Sequence, residues 1–142
     1  MSNLIEKLSE FNELELKKLV KPIENETIST VVSFEANSLE KGLEAEIATY
    51  YLHVSVKRTC YVVYSKYQYK AFTSTDKKGK KKIKVDKIKM KMNSGNGIFT
   101  KSQKNTSQVK KLDEVYGTGN TCKKAKLLAT ATIGDQSWDA QV

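Results

Sequence analysis

Proline is nearly absent from this chain, which holds one, Pro22, together with only 7 glycines in 142 residues. That scarcity excludes collagen-like and low-complexity classes, and 39% hydrophobic residues suffice for an ordinary core. The length fits one domain, residues 1–142, with room for a short arm. No apolar run approaches the roughly 18 residues that cross a bilayer. The chain opens with Ser2, Asn3 and Glu6 in place of the basic and apolar segments of a secretory signal. The expectation is a protein without a membrane contact, residing in the cytoplasm, or in a virion if it belongs to a particle.

Histidine and cysteine are almost as scarce. His53 stands alone, and Cys60 and Cys122 are far apart with no CxxC or HxH spacing, so no zinc site and no other cofactor is expected. Without a secretory signal, the two cysteines read as reduced thiols in strands, although their separation in space is not set by the sequence. A Cys60–His53 catalytic pair is not supported, because the faces of the two residues are undetermined. Gly95-Asn96-Gly97 and Gly117-Thr118-Gly119 lack the GK[ST] that completes a phosphate loop, and turn geometry accounts for them. In the basic region Asp76, Asp86, Asp113 and Glu114 do not cluster as a magnesium-dependent nuclease would require. Asn25-Glu26-Thr27 and Asn105-Thr106-Ser107 match glycosylation acceptors, without meaning in a chain that lacks a signal. No enzyme is expected.

Arginine is the other scarcity: Arg58 is the only one, and the remaining 24 of the 25 basic residues are lysines. Lysine is a compact point charge suited to phosphates, whereas arginine's fork reads guanine edges, so sequence-specific duplex reading is disfavoured. The same bias also follows from an AT-rich genome. The net charge of +9 is unevenly placed. Residues 1–56 hold 5 lysines and 10 glutamates, residues 57–126 hold 20 basic and 4 acidic groups, and residues 127–142 hold two aspartates. A field of that sign over 70 residues calls for nucleic acid or an acidic protein surface as partner.

Apolar periodicity then gives the elements. Leu4, Ile5, Leu8, Phe11, Leu16, Leu19 and Val20 form an amphipathic stripe, read as an N-terminal helix or arm over residues 1–22, begun at Ser2 and ended at Pro22. That arm can cover the protein's own sheet or join two copies. Residues 27–142 read as a β-rich basic domain. Thr27–Phe34 alternates as a strand, and Leu39, Leu43 and Ile47 suggest a short helix. Tyr50, Leu52, Val54 and Val56 share one face of the next strand. In the strand from Tyr61 to Phe72, Tyr61, Val63, Tyr67 and Tyr69 oppose Tyr64, Lys66, Gln68 and Lys70. Thr73–Lys82 is a polar loop expected to project. Ile83 and Val85 fall out of phase with Ile88, Met90 and Met92, which needs one extra residue near Asp86 or Lys87, a β-bulge. Asn93–Gly97 is a turn before a returning strand, Val109, Leu112, Val115 and Tyr116 suggest a second short helix, and Lys126–Ile133 a last strand.

These elements predict an α+β fold: a mostly antiparallel sheet of five or six strands, or an OB-like barrel, with the N-terminal helix and one or two short helices. Aromatic residues interleaved with lysines on extended segments are the combination that binds single-stranded nucleic acid, since a base stacks on a ring and a phosphate meets a cation. The expected binding set is Lys66, Lys70, Lys80, Lys82, Lys84, Lys87, Lys89 and Lys91, with Tyr51 and Tyr64 as stacking rings. The expected function is a small non-enzymatic nucleic-acid-binding protein that contacts the phosphate backbone without sequence preference. The alternative is a structural component of a larger assembly, such as a phage virion, whose basic face meets nucleic acid or an acidic neighbour.

Overall fold

The structure, a computed structural model, describes residues 22–43, 45–117 and 122–142. The stripe over residues 4–20 lies outside these, as does nearly all of the expected N-terminal arm. The described chain is all-β, with β1 (Glu24–Asn37), β2 (Ile47–Cys60), β3 (Tyr64–Ser74), β4 (Val85–Asn93), β5 (Ile98–Thr106), β6 (Gln108–Tyr116), β7 (Lys126–Ile133) and β8 (Gln136–Gln141). They form two four-stranded antiparallel sheets, β1-β2-β3-β6 and β5-β4-β7-β8, which we call sheets A and B. The predicted α+β class is therefore wrong among the described residues, and in place of one sheet or an OB-like barrel there is a sandwich.

Both short helices are corrected to extended or turn structure. Leu39 and Leu43 belong to the β1–β2 hairpin loop, where Ser38 N–H donates to the Glu46 carbonyl at 2.7 Å and Leu39 N–H to the Tyr50 hydroxyl at 2.7 Å. Gly42 there takes φ 90°, a left-handed value that an α-helix does not accommodate. Val109, Leu112, Val115 and Tyr116 lie on β6, which pairs with β3 from Phe72↔Gln108 to Tyr64↔Tyr116. Their three-residue spacing suits a helix and on a strand splits between the two faces, and pairing to a long central strand makes this segment a strand. On β6, Val109 and Val115 face inward and Leu112 and Tyr116 outward.

The strand parities hold on β2, on β4 and on β3 from Tyr64 onward, but Tyr61 and Val63 precede β3, and Tyr61 stacks on Tyr64 where it was expected to oppose it. Tyr50, Leu52, Val54, Val56, Tyr67, Tyr69 and Ala71 from sheet A meet Val85, Ile88, Met90, Met92, Leu127, Ala129 and Ala131 from sheet B in one core. Bulky residues of sheet A thus face the alanines of β7, and Phe34 stacks on Trp138 of β8 at 4.4 Å. The expected irregularity is present. Val85 and Ile88 are both buried, Asp86 and Asn105 drop out of the β4–β5 pairing, and Asn105 takes φ 50°. Asp86 lies opposite Asn105 in an unbroken register, so the phase resets on both strands together, without the extra residue on one strand that the expected β-bulge would add.

One end of the sandwich is closed by a polar knot around the buried Arg58 and Cys60. Cys60, at the end of β2, is joined to Cys122 by a disulfide, so the reading of reduced thiols is corrected. Closing a loop of sequence separation 62 contributes about 4 kcal/mol on the chain-entropy account. Arg58, 4% exposed, donates to the Cys122 carbonyl at 3.1 Å and pairs with Glu24 at 2.7 Å and Glu26 at 3.6 Å. The Tyr67 hydroxyl donates to the neighbouring Lys123 carbonyl at 2.7 Å. By contrast, the buried Tyr69 hydroxyl makes no hydrogen bond, although the Ser94 side chain lies near it.

That contrast is testable by denaturant unfolding. Tyr67→Phe should cost about 1 kcal/mol, the value of a satisfied hydrogen bond. Tyr69→Phe, which removes a hydroxyl without a partner, should leave stability unchanged or raise it.

Candidate nucleic-acid interface

The outward residues of sheet A follow from the register. Row by row from β1 to β6 they are Val31, His53, Phe72 and Gln108; then Ser29, Ser55, Lys70 and Lys110; then Thr27, Lys57, Gln68 and Leu112; then Asn25, Thr59, Lys66 and Glu114. At the far end Tyr64 pairs with Tyr116. Because β3 runs through the middle of this face, its outward Tyr64, Lys66, Lys70 and Phe72 line one track. Tyr64 and Lys70 are six residues apart, about 20 Å along the strand.

At one end of the track three rings stack. Tyr61 lies 4.4 Å from Tyr64, and Tyr64 lies 5.4 Å from Tyr116, centroid to centroid. Both faces of Tyr64 are thereby covered, which removes it as the stacking surface expected from its parity. The open ring is Tyr116, 53% exposed at the end of the column, on edge strand β6. Its hydroxyl donates to Glu114 at 2.6 Å, which holds the phenol above its ordinary range. Tyr51 is half-buried and flanked across the sheet by Ser33 and Ser74, side chains too small to cover a ring.

At the other end the cations gather. His53 and Phe72 stack in parallel, 4.2 Å between centroids, and the ammonium groups of Lys70 and Lys82 lie 4.8 and 5.3 Å from the Phe72 centroid. Lys110 sits directly opposite Lys70 on β6, and Lys82 donates a short hydrogen bond to Gln108 beside it. Burial, and then the charges of Lys82 and Lys110, hold Lys70 below the usual lysine range. Like charges directly opposite across two strands destabilise a sheet, and an anion seated among them removes that cost. The described residues supply none: their ion pairs are those of Arg58 to Glu24 and Glu26.

The loop after β3 does not project as expected. Ser74 accepts or donates at 2.7 Å with His53 Nε2, and Asp76 accepts the N–H groups of Lys80 and Lys81 at 3.0 and 2.8 Å. Gly79 rests against the edge of Phe72, where an added Cβ would come within 2.7 Å, and its φ of 76° also favours glycine. The loop is thus wrapped over the rings, bringing Lys82 to the site and leaving Lys80 and Lys84 exposed at its margin.

The remaining expected residues lie elsewhere. Lys87, Lys89 and Lys91 alternate with buried Ile88, Met90 and Met92 and so project from the outer face of sheet B, on the far side of the sandwich from Lys66, Lys70, Tyr51 and Tyr64. The single surface expected from the sequence is divided in two. Phe72, Lys110 and Tyr116 were missed. Extending the β3 alternation by one step reaches Phe72, whereas Lys110 and Tyr116 were hidden by the helical reading of β6. The one grouping of potential metal donors among the described residues, Glu24 with Cys60 and Cys122, is the disulfide and its neighbour, and disulfide sulfurs offer no thiolate. No protein-family model, curated protein or solved structure matches the chain.

Two measurements follow from this geometry. Lys110→Gln should stabilise the protein by about 0.5 kcal/mol at low ionic strength, and the gain should vanish in molar salt. Burial lowers the His53 pKa below its ordinary 6.5, with Asp76 opposing. Between the folded value and 6.5 the unfolded chain binds a proton that the folded chain does not. Stability should therefore be full above 6.5 and fall as the pH drops below it, with an imidazole NMR titration midpoint under 6.5.

Proposed function

We propose that the protein is a non-enzymatic binder of single-stranded nucleic acid that lays the strand along β3 on the outer face of sheet A. The observation that carries this reading is the pairing, on one sheet face, of a tyrosine column ending in an open ring with a crowded, anion-free lysine cluster. A base adds to the column at Tyr116, and phosphates neutralise Lys70, Lys82 and Lys110, with Lys66 between. Stacking and phosphate capture are both indifferent to base identity, so the binding has little sequence preference. His53 takes no chemical part: its ring is held by Phe72 and its Nε2 by Ser74.

A second reading has a specific observation in its favour. Disulfides persist in oxidising settings that include virion surfaces, and Cys60–Cys122 joins a buried and a half-buried cysteine in the closing knot. A component of a particle, with its basic faces against packaged nucleic acid or an acidic neighbour, fits that bond. The apparent mass of the purified protein separates the two: a chain that assembles without nucleic acid favours the particle, and a monomer that changes mass only with oligonucleotide favours the binder.

Binding itself is tested by salt. For a single strand, log K should fall by about 0.7 per unit log salt for each phosphate neutralised. Lys70→Gln with Lys110→Gln should reduce that slope by about 1.4. Tyr116→Ala should weaken binding by about 1–3 kcal/mol at unchanged slope, because stacking releases no counterions. No binding at low salt excludes the proposal.

A further inference from the structure

The outer face of sheet B is built differently from that of sheet A. Outward from β5 to β8, its rows are Lys104, Lys87, Thr132 and Ser137; Ser102, Lys89, Thr130 and Asp139; Thr100, Lys91, Leu128 and Gln141. No aromatic ring faces out in these rows: Trp138 turns inward to Phe34, and Phe99 sits opposite core residue Met92. The face is a field of ammonium and hydroxyl groups. Its one carboxylate, Asp139, accepts the Thr130 hydroxyl at 2.6 Å, and nearby Asp86 accepts the Gly134 N–H at 2.6 Å. None of these lysines has a carboxylate within ion-pair distance among the described residues.

As on sheet A, two lysines stand directly opposite across neighbouring strands, here Lys87 and Lys104. The same reasoning applies: a like-charge pair across a ladder costs stability until an anion is placed over it. Lys87, Lys89 and Lys91 then continue in a line at about 6.6 Å intervals along the central strand β4. The two outer faces point in opposite directions from sheets packed about 10 Å apart. That distance exceeds the Debye length of about 8 Å at physiological salt, so an anion on one face is largely screened from the other.

We infer that the β4 face is a second, separate phosphate-backbone site, and that one chain holds two segments of nucleic acid back to back and bridges them. This inference rests on the reading that the lysine faces bind nucleic acid, and extends it from one occupant to two. The sites are unequal in kind. Sheet A combines rings with charge, whereas sheet B offers charge and hydroxyls without rings and takes a backbone without stacking its bases.

The experiment uses the full chain and a single-stranded oligonucleotide of about 4 nucleotides, the lower end of known site sizes, so that one strand fills one face. Sedimentation gives the mass of the complex, and donor- and acceptor-labelled copies of the oligonucleotide report whether two share a chain. The expected result is one chain carrying two oligonucleotides, with energy transfer between them. Lys87→Gln, Lys89→Gln and Lys91→Gln together should leave one oligonucleotide per chain and abolish the transfer. Lys70→Gln with Lys110→Gln should do the same from the other side, and Tyr116→Ala should weaken only the occupant that survives the β4 substitutions. Saturation of the unaltered protein at one oligonucleotide per chain overturns the bridge while leaving the sheet A reading intact, and so does a pair of bound oligonucleotides that survives the β4 substitutions. No binding at low salt overturns both.

Discussion

A β-strand turns only every second side chain toward the core, and in this chain that constraint sorts charge from bulk. Along β4 the even residues Ile88, Met90 and Met92 are fully buried, so Lys87, Lys89 and Lys91 have no freedom about where to point. Along β3 the inward Tyr67, Tyr69 and Ala71 likewise fix Lys66, Lys70 and Phe72 on the outside. Burying a core side chain is worth about 1.5–3 kcal/mol, which outweighs the few tenths to 1 kcal/mol lost when Lys70 faces Lys110 or Lys87 faces Lys104. The core therefore holds like charges together that would otherwise separate, and the two cationic faces are a result of its packing.

The same alternation explains what could be read from the sequence. Strand parities on β2, β3 and β4 were legible because apolar and polar residues there largely alternate, and the phase slip near Asp86 was legible because the alternation fails once. Two things were not. The segment with Val109, Leu112 and Val115 has a helical spacing that a strand splits between its two faces, and only its pairing with β3 reveals the strand. The division of the lysines into two faces depends on which sheet each strand joins, a matter of chain crossings that side-chain parity does not encode. The expected binding set joins Lys70 of β3 with Lys89 of β4, yet the chain changes sheets between them.

Arg58 shows how the value of a residue type depends on its place. As the only guanidinium in a basic chain it could have served recognition, but it is buried, with Glu24, Glu26 and the Cys122 carbonyl as partners, beside the disulfide that closes the sandwich. Several donors in a fixed plane suit this task, since a buried ammonium would leave part of the set unsatisfied. Arg58 is enclosed but its carboxylate partners are half-exposed, so loss of one glutamate leaves the guanidinium with the other and with the Cys122 carbonyl.

With the guanidinium sequestered, every cation on the described surface is a primary amine. Amines, unlike guanidinium groups, are neutralised by acylation under mild conditions, one charge at a time. The electrostatic character of both faces is therefore chemically erasable, while the arginine that maintains the fold is out of reach of the same reaction. Fold and surface charge in this protein rest on separate chemistries, and either can be altered while the other persists.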